Sequence, residues 1–460
     1  MKKINKIGIY TAMALMAGLG SCKKDFLDVT PTTSISSSEA FSSAEKIAAA
    51  LTGVYDLSTG SVKYNMILNN DVKGGDVLIV SGAGNYSRFI NGYQFIENSS
   101  SSEPSDYWTT GYRIIANANQ FELNIPTSPL TSAQKSAYLA ETRALRAEAY
   151  LGLNNTVSAA ADINVVRARA KVKEVYAQIL SDFLYAEANI PATKTSVYRM
   201  TKGAIQGFLA RVYLTMGDYP NASKYAKLAR AGKPLGTGAS LLTGYINPTS
   251  EWIYALNSRT DDNSGFLTVN SFYDPFDIGY SSFRAADNFF NSFATNDIRL
   301  QQFKVNGVIG ARRGQEGFLI NKFDFSTTPA QNQVIIRSSE MYLIEAEAEA
   351  RQGVANEAAA KAALLAIQQR AGVATVVSAN TGQALINEIM TERGKELYGE
   401  GFKFFDLLRT KSPVVRTAGN GHWAIVNFQP GDNKLVLPLP QAELNANPIL
   451  KGQQNPGYSN

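Results

Sequence analysis

The stretch that decides the fold is TKGAIQGFLARVYLTMGDYPNASKYAKLARA, residues 201–231. Its first half places apolar residues at i, i+3, i+4, i+7, i+8 and i+11, which is the spacing of one face of an α-helix. These residues are Ile205, Phe208, Leu209, Val212, Tyr213 and Met216. Gly217 and Asp218 interrupt the pattern, and a second helix is predicted over residues 219–231. The stretch therefore predicts a helical hairpin.

The same pattern recurs 136 residues later in the chain. The alignment superimposes Ala210 on Ala346, Leu214 on Ala350, Gly217 on Gly353 and Ala222 on Ala358. Each unit then consists of a helix, a glycine turn and a second helix that carries an alanine five residues after the glycine. This order is typical of tetratricopeptide-like repeats, in which small residues let paired helices approach and the glycine adopts the left-handed conformation. Chance similarity between alanine-rich helices is the alternative.

Two further hairpins are predicted before this pair. One joins residues 131–153, for which Thr131 and Gln134 predict a capping box, to residues 171–189. A more divergent one joins residues 40–55 to residues 112–123. The fold class is therefore predicted to be mainly α, a scaffold of tetratricopeptide-like helical hairpins with little β structure.

Two long segments between the helices differ in composition. Residues 58–107 and 232–333 are rich in Gly, Ser, Asn and aromatic residues. Loops of this length are usually functional or disordered, and so many aromatic side chains argue against disorder. We expect both segments to be packed, loop-rich excursions that build a surface.

The N-terminus reads as a secretory leader. Three lysines precede an apolar run over residues 7–18, which is shorter than the ~20 residues that span a bilayer. Cys22, the only cysteine of the chain, follows Leu-Gly-Ser, which resembles a bacterial lipobox. We therefore expect removal of residues 1–21, acylation of Cys22 and a polar tether that extends to residue 39. An ordinary signal peptide with an incidental cysteine is the alternative.

Composition excludes several classes of function. Without its three leader lysines the chain carries 41 basic and 39 acidic residues, which argues against a nucleic-acid-binding surface. His422 is the only histidine of the chain. A catalytic metal site normally uses two or three His, Cys and carboxylate ligands, and a His-based triad would have to use this one residue. It stands in a glycine-rich turn, and the chain has no G-x-S-x-G sequence. We expect no metal, no cofactor and no catalytic role for His422.

Two shorter patterns resemble ligand sites only weakly. Residues 310–317 (GARRGQEG) lack the spacing and the terminal Lys-Ser/Thr of a P-loop, so a hairpin loop is predicted. Asp261, Asp262 and Asn263 lack a glycine at the offset of a calcium loop, so a solvated turn is predicted.

Acidic residues recur at helical spacing near the C-terminus. Glu345 and Glu349 stand one turn apart, and a second series repeats every four residues: Glu388, Glu392, Glu396 and Glu400. One interpretation of this pattern is a glycoside hydrolase, which uses a pair of carboxylates. Because basic residues are interleaved with the acids, we expect a solvated helix face instead. The chain is predicted not to be an enzyme.

Several motifs together resemble one protein family, the SusD-like (RagB/SusD) outer-membrane nutrient-uptake lipoproteins of Bacteroidetes. The resemblance covers nearly the whole chain and rests on the order and spacing of its motifs. They are CKKDFLD at residues 22–28, Trp108 with Asn117 and Asn119, KGA at residues 202–204 with Asp218-Tyr219, RSSEMYLIEAEA at residues 337–348, ERGKEL at residues 392–397, GFKFFDLLR at residues 401–409 and QNPGY at residues 454–458.

The resemblance implies a fold, a location and a partner. The family scaffold has four tetratricopeptide-like hairpins, and loops on another face bind a glycan. The scaffold side is expected to sit on a SusC-like TonB-dependent transporter in the outer membrane and to act as its lid, with the lipid-anchored protein facing the cell exterior. A helical-repeat lipoprotein that binds peptides or a protein partner is the alternative. Residues 155–162 (NTVSAAAD) depart from the Gly-, Asp- and Pro-rich segment usual in the family.

The resemblance also implies domain boundaries. An N-terminal helical region is expected over residues 40–231, with the excursion 58–107. A C-terminal region is expected over residues 232–460, with the excursion 232–333 and helices within residues 334–410.

Glycan binding has a chemical signature that can be sought in the excursions. A sugar ring stacks its apolar C–H face on an aromatic side chain, while its hydroxyl groups need polar partners. Residues 81–88 (SGAGNYSR) have this composition and lie where relatives often place a binding loop. The candidate ligand-binding residues are Asn85, Tyr86, Arg88, Tyr273, Asp274 and Tyr280. The alternative is that these tyrosines pack the loops onto the scaffold. Trp108 is assigned to the core, because it precedes apolar residues that must face inward.

Overall fold

The computed structural model describes residues 36–156, 168–314, 316–323, 325 and 330–459. The predicted leader and Cys22 lie outside these residues. So do residues 157–162 of the segment that departs from the family pattern.

The described part of the chain is mainly helical, as predicted. Its helices are α1 (Ser37–Ala40), α2 (Ala44–Thr59), α3 (Ser61–Lys73), α4 (Ile90–Gln94), α5 (Ser102–Asn124), α6 (Ser132–Thr156), α7 (Val172–Asn189), α8 (Lys202–Met216), α9 (Tyr219–Ala229), α10 (Val269–Tyr273), α11 (Asp287–Phe290), α12 (Ser338–Arg351), α13 (Glu357–Ala371), α14 (Gly382–Glu396), α15 (Lys403–Arg409) and α16 (Gln441–Ala446). Its strands are β1 (Val77–Ile79), β2 (Trp252–Leu256), β3 (Phe283–Ala285), β4 (Lys304–Val305), β5 (Val308–Ile309), β6 (Gln333–Arg337), β7 (Val414–Arg416) and β8 (Val426–Phe428).

The four predicted helical hairpins are present. Helix α2 packs on α5, α6 on α7, α8 on α9, and α12 on α13. Successive hairpins also contact one another, through α5 with α6, α7 with α8 and α9 with α12. The predicted capping box is confirmed, because the backbone N–H of Thr131 donates to Oε1 of Gln134 at 2.9 Å and the N–H of Gln134 donates to Oγ1 of Thr131 at 3.3 Å. The hairpins bury a common core that holds Trp108, as predicted.

The repeat alignment is correct up to the glycines and wrong after the second one. Gly353, with φ of +99° and ψ of −174°, does not adopt the predicted left-handed conformation. Gly217 ends α8 in the left-handed conformation, with φ of +78°, as a helix-terminating glycine should. After Gly353 a 3₁₀ turn, Val354–Asn356, delays the next helix to Glu357. Ala360 therefore occupies the buried position that corresponds to Ala222, whereas the predicted Ala358 is exposed.

The first excursion is more regular than predicted. Residues 58–107 contain helix α3, strand β1, helix α4 and the start of α5, which begins ten residues before the predicted residue 112. Helix α5 starts early because apolar residues at helical spacing already begin at Pro104. The buried residues at helical spacing are Pro104, Tyr107, Trp108, Gly111, Tyr112 and Ile115. The second excursion, residues 232–333, carries only short helices and strands and is loop-rich as predicted.

The two excursions fold against each other. Strand β1 pairs antiparallel with β3, so that Val77 lies opposite Ala285 and Ile79 opposite Phe283. Around this ribbon lies a second hydrophobic core, separate from that of the hairpins and rich in aromatic rings. It includes Phe89, Tyr93, Phe272, Tyr273, Phe283 and Tyr398. Most of the aromatic residues that argued against disorder are therefore used to pack the excursions together.

A further ribbon joins the second excursion to the hairpins. Strands β2 and β6 pair antiparallel, and β6 leads directly into α12. Helix α8 lies close to this ribbon at Gly207, where a Cβ atom would stand 2.8 Å from Cγ2 of Ile336. Among the described residues, no helix combines the length and the apolar composition needed to cross a membrane.

Candidate functional site

Three loop segments converge at one end of the β1–β3 ribbon. Residues 80–89 follow β1, and residues 264–281 precede β3; the N–H of Val80 donates to the carbonyl of Ser282 at 2.9 Å. Residues 417–425 join them through Trp423, whose Nε1–H donates to the carbonyl of Ile79 at 2.7 Å. We call the surface formed by these three segments the loop face.

The first segment presents three of the predicted residues. Asn85 adopts the left-handed conformation, with φ of +51°, and precedes a 3₁₀ turn over Tyr86–Phe89. This turn directs Phe89 into the core, while Tyr86 packs at its edge and stays half-buried. The guanidinium of Arg88 donates to Oδ1 of Asn65 at 3.2 Å and lies 5.8 Å from the ring centroid of Tyr64.

Tyr280 lies beside this segment. The chain passes so close to it at Gly84 that a Cβ atom there would stand 2.9 Å from the carbonyl oxygen of Tyr280. The half-buried ring of Tyr280 packs against Phe266, with centroids 5.8 Å apart, and against Phe272, at 4.9 Å. The structure thus brings Tyr280 to the loop that carries Asn85 and Tyr86, although almost 200 residues separate them in sequence.

Tyr273 and Asp274 were wrongly placed on the binding surface. Tyr273 is 0% exposed, and its hydroxyl donates to Oδ2 of Asp71 at 2.9 Å. Asp274 is also buried, and its carboxylate accepts the N–H groups of Phe276 at 3.0 Å and Ile278 at 2.6 Å. An aspartate that accepts backbone N–H groups in this way shapes a turn. The two residues position the loop face without being part of it.

A polar groove borders the loop face on the side of α2 and α3. Its volume is about 140 Å³, and Tyr64 separates it from Arg88. Burial raises the pKa of Tyr64 to about 12, against the opposing effect of Arg88, so the phenol remains a neutral donor. The polar lining residues include Asp56, Lys63, Asn257, Ser258, Asn263, Thr268 and Gln331. Such side chains supply the donors and acceptors that sugar hydroxyl groups require.

A larger cavity, of about 370 Å³, lies away from these residues. It is formed by α15, residues 430–436 and residues 455–456, and its lining is largely apolar with no aromatic ring. Without a stacking surface it does not suit a sugar.

The acidic series does not form the solvated face that was predicted. Glu345, Glu349, Glu392 and Glu396 are buried, and all of them form ion pairs. Helix α12 packs on α9, and the glutamates of α14 pair with Arg299 of the second excursion, so the predicted outer face is an interface. Lysine and arginine side chains from other elements supply the opposite charges, which helical spacing within one helix does not reveal.

Glu396 lies at the centre of the largest cluster of these charges. Its carboxylate contacts Arg337 at 2.7 Å, Arg370 at 2.6 Å and Arg299 at 3.4 Å. Burial would raise the pKa of Glu396, but Arg370, Arg337 and Arg299 outweigh it and hold the pKa well below its ordinary range. A general acid needs a raised pKa and access to substrate, and this carboxylate has neither.

His422 has a structural role in its turn. Its Nε2–H donates to the carbonyl of Gly75 at 2.9 Å, and Nδ1 accepts the hydroxyl of Tyr93 at 2.7 Å. Burial, aided by the charge of Arg416, lowers the pKa of His422 to about 4. The imidazole is therefore neutral at neutral pH, and both of its nitrogens are engaged.

Trp423 and Phe266 are exposed aromatic residues that were not predicted, with 38% and 47% of their surface exposed. Of the two, Trp423 has a signal in the sequence. It follows His422 directly in the turn Gly419-Asn420-Gly421-His422, and only the histidine was considered there. A tryptophan beside a glycine-rich turn was the available signal. Among the described residues, no group of three or more His, Cys, Asp and Glu side chains is arranged to hold a metal ion.

The other two sequence patterns behave as predicted. Arg313 and Glu316 share an isolated antiparallel bridge, as expected for a hairpin loop. Asp261 and Asp262 lie in an exposed turn, and both form ion pairs with Arg259.

Two family models match the chain. Residues 312–458 match the model described as the SusD family, and residues 25–214 match the model described as starch-binding associating with outer membrane. The two matches cover the beginning and the end of the chain and leave the second excursion largely between them.

Individual proteins are similar over almost the whole chain. A SusD-like protein P38 of Formosa agariphila is 24% identical, and the alignment covers 90% of this chain and 93% of that protein. A crystal structure of a SusD superfamily protein from Bacteroides vulgatus is 23% identical with a TM-score of 0.80, over 91% of this chain and all of that one. A laminarin-binding SusD-like protein is 25% identical with a TM-score of 0.71, also over 91% of this chain.

Proposed function

Because this chain belongs to the SusD family, we propose that it binds a glycan through its loop face and delivers it to a SusC-like TonB-dependent transporter, as a non-catalytic lid. The family is one of carbohydrate-binding proteins associated with the outer membrane. In this proposal, acylated Cys22 anchors the chain in that membrane, residues 23–35 act as a tether, and the helical hairpins face the transporter. The predicted tether is shortened, because residues 37–39 belong to helix α1.

The main support for glycan binding is the convergence of polar and aromatic residues on the loop face. Asn85 and Tyr86, the half-buried ring of Tyr280 and the polar groove beside Tyr64 meet on one face, although they come from distant parts of the sequence. Aromatic rings next to amide, hydroxyl and charged groups match both surfaces of a sugar. The groove alone is smaller than the 300–1,000 Å³ of typical ligand pockets. An extended oligosaccharide that lies across the face suits it better than an enclosed small molecule.

The burial of the acidic residues favours binding over hydrolysis. Inverting and retaining glycosidases both place two carboxyl groups on either side of a substrate. Glu392 and Glu396 instead face Arg299 in the interior. The alternative is a repeat protein that binds peptides or a protein partner, and the carbohydrate-binding experiment below distinguishes it from a glycan-binding protein.

Native gel electrophoresis in gels that contain laminarin or soluble starch tests glycan binding. The mature protein should be retarded by at least one polysaccharide and should release no reducing sugar. Tyr86→Ala should weaken retention about fivefold, since stacking on an aromatic ring contributes about 1 kcal/mol. Tyr138→Ala is the matched control, because Tyr138 is a part-buried tyrosine packed against the hairpin core.

Each other outcome contradicts a definite part of the proposal. Unchanged retention of Tyr86→Ala would remove this loop from the site. Sugar release that is lost on replacing one carboxylate would establish an enzyme. Copurification of a transporter without any carbohydrate binding would support the protein-binding alternative. Absence of lipid on Cys22 by mass spectrometry of the membrane-extracted protein would refute the anchor.

A further inference from the structure

The chain has three tryptophans, and they differ in exposure. Trp108 and Trp252 are buried, with 6% and 1% of their surface exposed, whereas Trp423 is 38% exposed. A single exposed apolar side chain is ordinary on a protein surface. The surroundings of Trp423 are what make it a candidate site.

The indole of Trp423 is held in place. Its only polar hydrogen is used in the hydrogen bond from Nε1 to the carbonyl of Ile79, at 2.7 Å. The ring of Tyr93 supports it, with centroids 4.9 Å apart and planes inclined by 54°. Tyr93 is itself tied to His422, the residue before Trp423. A ligand that stacks on this ring does not have to immobilise it, which reduces the entropic cost of binding.

The exposed part of the indole needs no polar partner, and two further exposed apolar side chains belong to the same hairpin. Ile425 is 54% exposed and Val415 is 46% exposed on the β7–β8 hairpin that holds the turn. The C–H face of a pyranose ring is the kind of surface that packs on such a platform.

Polar groups flank the turn. Asp287 pairs with Arg312 at 3.0 Å, and its N–H donates to the carbonyl of Asn420. Oδ1 of Asp287 stands 3.9 Å from the position that a Cβ atom on Gly421 would take, so the pair lies beside the turn. The side chains of Arg312 and Asp287 are 31% and 23% exposed, so a ligand can reach both. A guanidinium donates hydrogen bonds to sugar hydroxyl groups, and a carboxylate accepts them.

We propose that Trp423 is a stacking subsite for a pyranose unit of the bound glycan, with the Asp287–Arg312 pair as a neighbouring partner for its hydroxyl groups. This inference rests on the proposed glycan-binding function. Trp423 bonds to Ile79, and the loop that carries Asn85 and Tyr86 starts at the next residue. The subsite therefore extends the loop face along a second stretch of the same glycan.

Tryptophan fluorescence tests the subsite separately from the proposed function. Because Trp423 is the exposed tryptophan, acrylamide should quench mainly its emission, and Trp423→Phe should remove the quenchable component. Laminarin or soluble starch, whichever the protein binds in calorimetry, should protect wild-type emission from acrylamide. Trp423→Ala should raise the Kd about fivefold without changing the circular dichroism spectrum, and Trp108→Phe should retain the protection.

The outcomes separate the two proposals. If the polysaccharide binds in calorimetry but neither protects Trp423 nor loses affinity in Trp423→Ala, the subsite is refuted and the binding function stands. If neither laminarin nor starch binds and a protein partner alone copurifies, the proposed function fails and the subsite fails with it.

Discussion

Replacing Glu396 by Gln removes the negative charge at the centre of the buried ion-pair cluster. The carboxylate is 0% exposed and lies within 3.4 Å of guanidinium nitrogens of Arg299, Arg337 and Arg370. Arginine does not lose its proton at neutral pH, so the three cations would remain buried with less compensation. Removing one partner of a buried ion pair costs about 3–5 kcal/mol.

This cost converts into a measurable shift of Tm. The entropy of unfolding is about 2.1 cal/mol/K per residue, which for the 460 residues of the chain gives about 1 kcal/mol/K. Glu396→Gln should therefore lower Tm by about 3–5 °C in scanning calorimetry at pH 7. Glu39→Gln is the matched control, since the pair of Glu39 with Lys46 is exposed and such pairs contribute less than about 1 kcal/mol.

The same variant bears on the choice between binding and hydrolysis. No ligand reaches a fully buried carboxylate, so polysaccharide retention by Glu396→Gln should equal that of the wild type below both melting temperatures. A Tm within about 1 °C of the wild type would refute the reasoning about the cluster. An unchanged Tm together with a loss of sugar release would assign Glu396 a catalytic role.

Two further predictions concern the scaffold. Gly217→Ala places a Cβ at φ of +78° and should lower Tm by about 1–2 °C, whereas Gly53→Ala, within α2 and with no atom within 4 Å of the new Cβ, should raise it by up to about 1 °C. An equal shift in both variants would contradict the left-handed turn. Burial raises the pKa of Asp71 from 3.8 to about 7, so the stability that the protonated form contributes is fully present below pH 4 and is lost as the pH rises through 7. Asp71→Asn should flatten this part of the Tm–pH profile, and a profile parallel to that of the wild type would refute the assignment.

The hairpins could be predicted because their determinants are local. The 3.6-residue period of apolar side chains, the Thr131 capping box and the glycine at the end of α8 all act within a few residues of one another. The early start of α5 was missed, although its apolar stripe follows the same period. The glycine-, serine- and asparagine-rich composition around it had favoured a loop.

The candidate site was predictable only in part. The composition of residues 81–88 indicated a surface loop, and the structure places Asn85 and Tyr86 on the loop face with Tyr280 beside them. Tyr273 has the same side chain as Tyr86 but lies in the interior, bonded to Asp71. Residue type alone does not distinguish a tyrosine that packs a loop from one that faces a ligand.

The sequence by itself determined the helical scaffold, its turns and the relationship to the family, because each depends on patterns that are short or ordered along the chain. Only the tertiary structure decided which residues are exposed. Glu392 and Glu396 became buried because arginines from other segments pack over them, and Trp423 became an exposed platform because Ile79, more than 300 residues earlier, holds its indole. Burial and charge compensation are properties of contacts between distant segments, and these contacts exist only once the chain has folded.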